Sequence, residues 1–428
     1  QNCQLYSGKV RNLKKRSAPD WGRSGMRSEW REVVVADICS YRQERVDVET
    51  LTESSYVSTA NMVPNRGGIE IAEKLPNTTT TSRFISGDVL ISNIRPYFKK
   101  SWLASKDGGC SNDVLVMQAK DGIDTSYLYY LLSSDDFFAY MTATSKGTKM
   151  PRGDKDAIMK YEVKIPPLAA QKIIAKTLSC LDAKIELNNK INENLEAQAQ
   201  AIFKSWFVDF EPFQDGKFIE SELGLIPEGW RVGKVGEYAD LKSGFAFKSA
   251  WWVEEGVPVV RIGDIATNEL RLEGAVRIGR DNVPQDETYH LRAGDFIIAM
   301  TGATIAKTAL VPAIDELLLL NQRVGKFIPL SKNGFSLPFI FCFIRYPAIV
   351  DKIINLGSGS AQPNVSPSAI KSIPLILPPD KVLDDFNGIC KPIFLKMLKA
   401  PIENRILSTV RDTLLPKLMS GEIEVPVE

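Results

Sequence analysis

The chain has a single histidine, His290, in 428 residues, and that scarcity excludes much chemistry. With one imidazole, a Ser-His-Asp relay has only one possible base, and zinc or iron sites built from several histidines cannot form. His290 stands in Thr288-Tyr289-His290-Leu291, where a structural or surface role is expected rather than a catalytic one. The six cysteines are all more than ten residues apart, so neither CxxC ligand pairs nor a small disulfide scaffold is readable. Free thiols in a reducing compartment fit that spacing. Excess charge is nearly absent too, because 53 Lys+Arg against 52 Asp+Glu leave +1. This rules out a wholly basic nucleic-acid coat but permits a local basic groove. Apolar runs such as Leu317-Leu318-Leu319-Leu320 are far too short to span a bilayer, and no charged-then-apolar leader is readable. A cytoplasmic protein with no membrane partner is the expectation.

Catalytic motifs are equally scarce. Gly302-Ala303-Thr304-Ile305-Ala306-Lys307-Thr308 has the look of a phosphate loop, but Ala306 and Thr301 stand where such a loop needs glycine. There is no G-x-G-x-x-G after a strand, no Asn-Pro-Pro-aromatic motif of amino-methylating enzymes, and no readable nuclease carboxylate cluster. No catalytic residue and no metal site are expected.

What is present is a repeat. Ser86-Gly87-Asp88-Val89-Leu90-Ile91 returns 207 residues later as Ala293-Gly294-Asp295-Phe296-Ile297-Ile298. Ile165-Pro166-Pro167 returns after 212 residues as Leu377-Pro378-Pro379, and Trp30-Arg31 after 200 as Trp230-Arg231. The order is kept and the offset drifts, as loop insertions would make it drift. Each half opens with short β-branched and aromatic runs (Val33-Val34-Val35, Val114-Leu115-Val116-Met117, Phe339-Ile340-Phe341) between Gly, Pro, Asn and Asp turns, with short helices expected at Thr125–Ser133 and near Leu337–Ile344. That pattern describes a compact α/β (α+β) domain.

After each Pro-Pro the period becomes helical. Leu178, Leu181, Ile185, Asn188, Asn192, Leu195, Ala199, Ile202 and Trp206 fall at spacings of 3 and 4, as do Phe386, Cys390, Ile393, Met397, Ala400, Asn404, Leu407, Arg411, Leu414 and Leu418. Both are heptad seams. A helix from Leu168 to Asp209 would be about 60 Å long. The expected fold is two similar globular domains separated by two long antiparallel helices forming a coiled coil, a pseudo-two-fold internal repeat with the domains at opposite ends. Seam asparagines Asn188, Asn192 and Asn404 either fix register or turn to solvent. Pro401 should kink the second helix, whereas Pro392 fits its first turn.

Basic loops follow the strands. Asn93-Ile94-Arg95-Pro96-Tyr97-Phe98-Lys99-Lys100 joins three cations to two aromatics, and Lys146-Gly147-Thr148-Lys149-Met150-Pro151-Arg152-Gly153 is a flexible basic loop. In the second half the counterparts are Thr301 to Lys307, Asn321-Gln322-Arg323, and Gly357-Ser358-Gly359-Ser360-Ala361-Gln362-Pro363-Asn364. Glycine admits a phosphate to the backbone, Lys and Arg neutralise it or read guanine, and Gln or Asn read adenine. Candidate DNA contacts are Arg95, Tyr97, Lys99, Lys100, Lys146, Thr148, Lys149 and Arg152 in the first half, and Thr301, Thr304, Lys307, Arg323, Ser360, Gln362 and Asn364 in the second. Each taken alone could equally be a solvated turn residue. An enzyme of unrecognised motif and a protein-binding scaffold remain alternatives on these residues alone.

The chain from Met26 resembles the DNA-specificity subunit of Type I restriction–modification enzymes. Carrying motifs are Ile165-Pro166-Pro167-Leu168-Ala169-Ala170-Gln171-Lys172-Ile173, the stretch from Leu195-Glu196-Ala197-Gln198-Ala199 to Phe203-Lys204-Ser205-Trp206-Phe207-Val208-Asp209-Phe210, Leu414-Leu415-Pro416-Lys417-Leu418-Met419-Ser420-Gly421-Glu422-Ile423, and Gly359-Ser360-Ala361-Gln362-Pro363-Asn364. Pro379-Asp380-Lys381 departs from the usual leucine and glutamine pattern. The resemblance implies two target recognition domains (26–164 and 214–376), each reading half of a bipartite, asymmetric site on double-stranded DNA, and conserved helical spacers (165–213 and 377–428). Residues 1–25 are expected to be an extension outside the fold, disordered or an expression remnant. It further implies docking of two modification (methyltransferase) subunits and of restriction (motor–nuclease) subunits. S-adenosylmethionine, ATP and Mg2+ would belong to those partners, with no cofactor in this chain. Phe203, Trp206, Phe207, Phe210, Leu414 and Leu418 are the candidate partner-binding residues.

Overall fold

The computed structural model describes residues 30–426 except 267–268, 273, 315, 331–336 and 358–362. The expectation for residues 1–25 lies outside the described residues. The chain divides into two compact units, residues 1–179 with 413–428, and residues 180–412.

Both units are built on one plan. In the first, Arg31–Val34 pairs antiparallel with Glu162–Ile165, the strand that leads into the Pro-Pro step. A four-stranded antiparallel sheet follows in the order Cys39–Tyr41, Val114–Ala119, Val89–Ser92, Ser101–Leu103. In the second unit, Arg231–Lys234 pairs with Pro374–Leu377. Its four-stranded sheet runs Ala239–Ser243, Val324–Pro329, Phe296–Ala299, Thr308–Leu310. Short helices cover the sheets at Thr125–Leu132 and Leu337–Ile344, where the apolar pattern placed them. Each unit adds a second sheet with one parallel pair, Tyr56–Val57 with Gly108–Cys110 and Val257–Val260 with Leu318–Leu320.

The repeated Gly-Asp has a definite task. Gly87 and Gly294 both adopt left-handed backbone, with φ of 93 and 86. Each amide then donates to the neighbouring strand end, Ala104 O and Val311 O, both at 2.8 Å. Asp88 and Asp295 accept from the Ile85 and Arg292 amides at 2.9 and 2.8 Å, closing the turn into the central strand. Asp88 is also gripped bidentately by the buried Arg42, and Asp295 lies 3.4 Å from Lys326.

The two seams form long helices, Leu168–Phe207 and Asp380–Met419, of 40 residues each. At the start of the first, buried Gln171 accepts from the Asp124 amide at 3.0 Å and donates to Pro166 O at 2.9 Å, locking helix to domain. The second lacks that glutamine. Asn387 does the corresponding work in its unit, accepting from the Phe339 amide at 3.1 Å and donating to Tyr238 Oη at 3.3 Å. Within the second unit the helices run antiparallel, with Asp182 joined to Arg411, Asn188 to Asn404 and Asn192 to Met397. Within the first unit Leu178 shares a core with Leu415 and Leu418.

Asn188 is buried and bonds both Glu403 and Asn404 at 2.9 Å, so this seam asparagine faces the partner helix. The second helix begins at Asp380, so Pro392 lies inside it and not in its first turn, and neither Pro392 nor Pro401 ends it before Met419. Proline lacks an N–H, so the carbonyl four residues earlier, on Met397, loses its helical donor. Asn192 on the other helix donates its Nδ2 to that carbonyl at 3.3 Å. The second helix tolerates Pro401 because its neighbour fills the missing bond.

Candidate nucleic-acid interface

The central strand of each four-stranded sheet runs out into the loops singled out above, and main-chain hydrogen bonds gather them. In the first domain the Asn93 amide donates to Asp113 O at 2.8 Å, and Gly153 donates to Asn93 O at 3.0 Å. In the second, Met300 donates to Arg323 O at 3.0 Å, and Val365 to Met300 O at 2.9 Å. The pairs correspond one to one across the repeat. The same three-chain junction is therefore built twice, and each copy brings together loops far apart in sequence.

At the first junction the two basic loops lie side by side. The Arg95 amide donates to Pro151 O at 2.8 Å, and Lys146 and Arg152 exchange main-chain bonds at 2.8 and 2.9 Å. Arg95, Tyr97, Lys146, Thr148, Lys149 and Arg152 are exposed, and Lys99 and Lys100 are half-buried. Their charges are not equally available. Lys99 meets Asp135 at 2.9 Å, Lys146 meets Asp154 at 2.5 Å, and Arg152 meets Asp113 at 3.1 Å. Lys100 donates to Thr59 O at 2.6 Å, and burial pulls its ammonium below the ordinary value, against the opposing pull of Glu70. Arg95 and Lys149 have no carboxylate partner among the described residues.

The second junction is more polar. Thr301 Oγ1 donates to Asn364 Oδ1 at 2.9 Å, Gly302 N donates to Pro363 O at 2.9 Å, and Thr304 Oγ1 turns back to Thr301 O. Thr301 is buried, Thr304 and Lys307 half-buried, and Arg323 and Asn364 exposed. Ser360 and Gln362 lie outside the described residues. His290 offers Nε2 to Pro284 O at 2.9 Å, a structural tie.

Sequence reading missed several neighbours of these junctions. Asn65 and Arg66 donate their amides to Phe98 O and Lys99 O at 2.9 Å, and the Arg66 guanidinium joins Lys99 on Asp135. Burial opposes the Asp135 charge, yet hydrogen bonds from Lys99 and Arg66 outweigh it and hold the carboxyl below its ordinary value. Only the turn-prone Asn65-Arg66-Gly67-Gly68 hinted at this. In the second domain Phe245 bridges to Asn321, stacks on Trp251 at 6.2 Å, and leaves Lys248 over the Trp251 ring at 5.5 Å.

The candidate partner residues lie mostly inside the cores. Phe203, Phe207 and Phe210 are buried in the core of the second unit, with Trp206 partly buried against it. Phe207 packs on Phe386 at 4.9 Å and Trp230 at 5.9 Å. Leu418 is buried and Leu414 partly buried in the first unit's core. These side chains hold helices to domains, so their area is already covered by this chain.

Two similar α/β domains joined to long paired helices, with loops gathered at equivalent junctions, define a duplicated two-domain fold. The family model for the Type I restriction modification DNA specificity domain matches twice, over residues 27–197 and 227–383, and the chain belongs to that family. It is the non-catalytic DNA-specificity subunit of a Type I restriction–modification system. It is 26% identical over 393 residues to the MjaIX specificity subunit of Methanocaldococcus jannaschii, covering 89% of this chain and 87% of that one. Identity to the HindI specificity subunit of Haemophilus influenzae is 27% over 473 residues, covering 92% of this chain and 100% of that one. The fold matches the crystal structure of the Type I restriction-modification S subunit from M. genitalium with a TM-score of 0.54 at 17% identity, covering 94% of this chain and 98% of that one. No helix among the described residues is long and apolar enough to cross a membrane.

Proposed function

We propose that the two domains each read one half of a bipartite, asymmetric site on double-stranded DNA, with contacts drawn from the residues gathered at the two junctions. The observation that supports this most is the duplicated hydrogen-bond frame, which presents two loop sets of different chemistry. Functional boundaries at 26–164 and 214–376 for the readers, and at 165–213 and 377–428 for the helical spacers, follow the repeat. The helices set the half-site spacing and dock two modification (methyltransferase) subunits, and restriction (motor–nuclease) subunits complete the cytoplasmic complex. Exposed Leu187, Ile191, Ile406 and Val410 on the helices offer apolar area for such docking. S-adenosylmethionine, ATP and Mg2+ serve the partners, which carry out adenine methylation and cleavage.

With a net charge of +1, long-range attraction to DNA is weak, so the isolated subunit binds poorly and modification subunits tighten it. DNA titrations with and without those subunits, across a range of salt, test this. A steep salt dependence together with partner-tightened binding supports the reading. Equal affinity in both titrations, or turnover of DNA by the chain alone with magnesium and methyl donor, contradicts it.

A further inference from the structure

We infer that Tyr97 and Phe98 form an aromatic wedge that packs into an unstacked base step of the half-site read by the first domain, an inference that rests on the DNA reading above. Tyr97 is 48% and Phe98 38% exposed, the two aromatic rings among the exposed large hydrophobics of the described residues, and their centroids lie 4.8 Å apart. Large apolar groups left exposed in this way mark interaction surfaces. They sit on the single turn Pro96–Phe98, flanked on both sides by non-glycine residues in left-handed backbone, Arg95 with φ 51 and Lys99 with φ 50.

That conformation is costly for side chains with a Cβ, and it persists only where the surroundings impose it. Among the described residues six non-glycine residues have positive φ, and four of them (Asn65, Arg66, Arg95 and Lys99) meet at this one turn. The imposing contacts are visible. Asn65 and Arg66 hold Phe98 O and Lys99 O, Pro151 O holds Arg95, and Asp135 ties Arg66 and Lys99 together. The rings are thus held out on a rigid mount rather than on a floppy tip.

The surroundings fit nucleic acid. Lys100 Nζ stands 6.0 Å from the Phe98 ring, Arg95 and Lys149 are exposed and without a carboxylate partner among the described residues, and Met150 on the adjoining loop is 49% exposed. Apolar wedges flanked by cations enter DNA between base steps and unstack them, while the cations hold the phosphates. The corresponding turn after the second domain's central strand, Gly302–Thr304, carries no ring. Local unstacking is thus expected in the first half-site, at the step that meets Tyr97 and Phe98.

The test uses the complex of this subunit with its modification subunits and duplexes of its mapped motif carrying 2-aminopurine at successive positions. Fluorescence should rise at one step of the first half-site, away from the adenine that becomes methylated. Changing Tyr97→Ala and Phe98→Ala together should abolish that rise and weaken DNA binding at least tenfold, while Tyr97→Phe retains both. Both rings are exposed, so the thermal midpoint should stay unchanged, and a large fall would mean the rings serve folding. No rise in the wild-type complex overturns the wedge while leaving the DNA reading intact, provided the complex still binds its motif. Loss of modification-subunit assembly at unchanged DNA contact would make the rings a protein-docking element, which also overturns it. A complex that fails to bind DNA at all would instead fail the underlying reading.

Discussion

Glu196 and Arg345 are the most exacting pair in the second unit. Their side chains are 20% and 8% exposed, and they meet at 2.5 Å between the first long helix and the end of the domain helix Leu337–Ile344. Burial raises the Glu196 carboxyl despite Arg345, and burial lowers the Arg345 guanidinium despite Glu196. Desolvation thus offsets much of their attraction, as is usual for buried pairs. Replacing Arg345→Met leaves an unpaired buried carboxylate and should cost about 3–5 kcal/mol, whereas Glu196→Gln with Arg345→Met should cost far less. The sign with pH is fixed by linkage. Without its cation the carboxyl rises further, so the single variant should lose stability as pH climbs through that raised value, and be least impaired in acid. Denaturant titrations at pH 5 and pH 8 check both statements. An equal loss at the two pH values would show that Glu196 is not the group responsible.

The buried phenylalanines give a second test at this scale. Phe207→Ala should destabilise the second unit by about 3–5 kcal/mol, the usual cost of deleting a large core ring. Partner affinity should fall only as far as folding does, which calorimetry and pull-down on one preparation would separate. The motif around Phe203 to Phe210 marked these residues as important without showing which way they face. Their burial depends on Trp230, Phe339 and Phe386, which come from distant stretches that sequence spacing does not connect.

The long helices were plain from spacing alone, and the repeat marked the Gly-Asp strand and the Pro-Pro step in each half without giving the turn or the strand that precedes Pro-Pro. Periodicity leaves a local signature. Pro401 shows what spacing leaves out, since the carbonyl it deprives of a helical donor is met by Asn192 on the other helix. A double-mutant cycle measures that cooperation. Asn192→Leu alone strips the Met397 carbonyl of its donor and should cost about 1–3 kcal/mol. In a Pro401→Ala background the helix supplies its own N–H, so the same change should cost clearly less. Additive losses would show that Asn192 and Pro401 are not coupled.

The loop junctions were legible only in part. Arg95 and Lys149 could be singled out as basic, but nothing in the spacing said that Arg95 would hydrogen-bond Pro151 or that Lys99 and Arg66 would share Asp135. Such pairings arise from how strands cross, and left-handed φ at non-glycine residues has no compositional mark. Half of the first domain's six candidate cations proved to be paired with carboxylates, which moves the emphasis there to Arg95, Lys149 and the Tyr97–Phe98 rings.

If the helices set the half-site separation, inserting one heptad into both keeps the seam and lengthens each by about 10 Å. The methylated motif should then gain roughly three unspecified base pairs, at about 3.4 Å each, and keep its two ends. An unchanged spacer would remove the helices from that role.

The claim about reading is tested most directly by mapping methylated adenines genome-wide in cells that carry this subunit with its modification partners. Wild type should yield one bipartite motif. Lys307→Ala and Arg323→Ala should relax or weaken only one half-site, and Arg95→Ala and Lys149→Ala only the other, since losing a base contact costs about 1–3 kcal/mol at one position. A change confined to one domain that rewrites bases in both half-sites would contradict two independent readers.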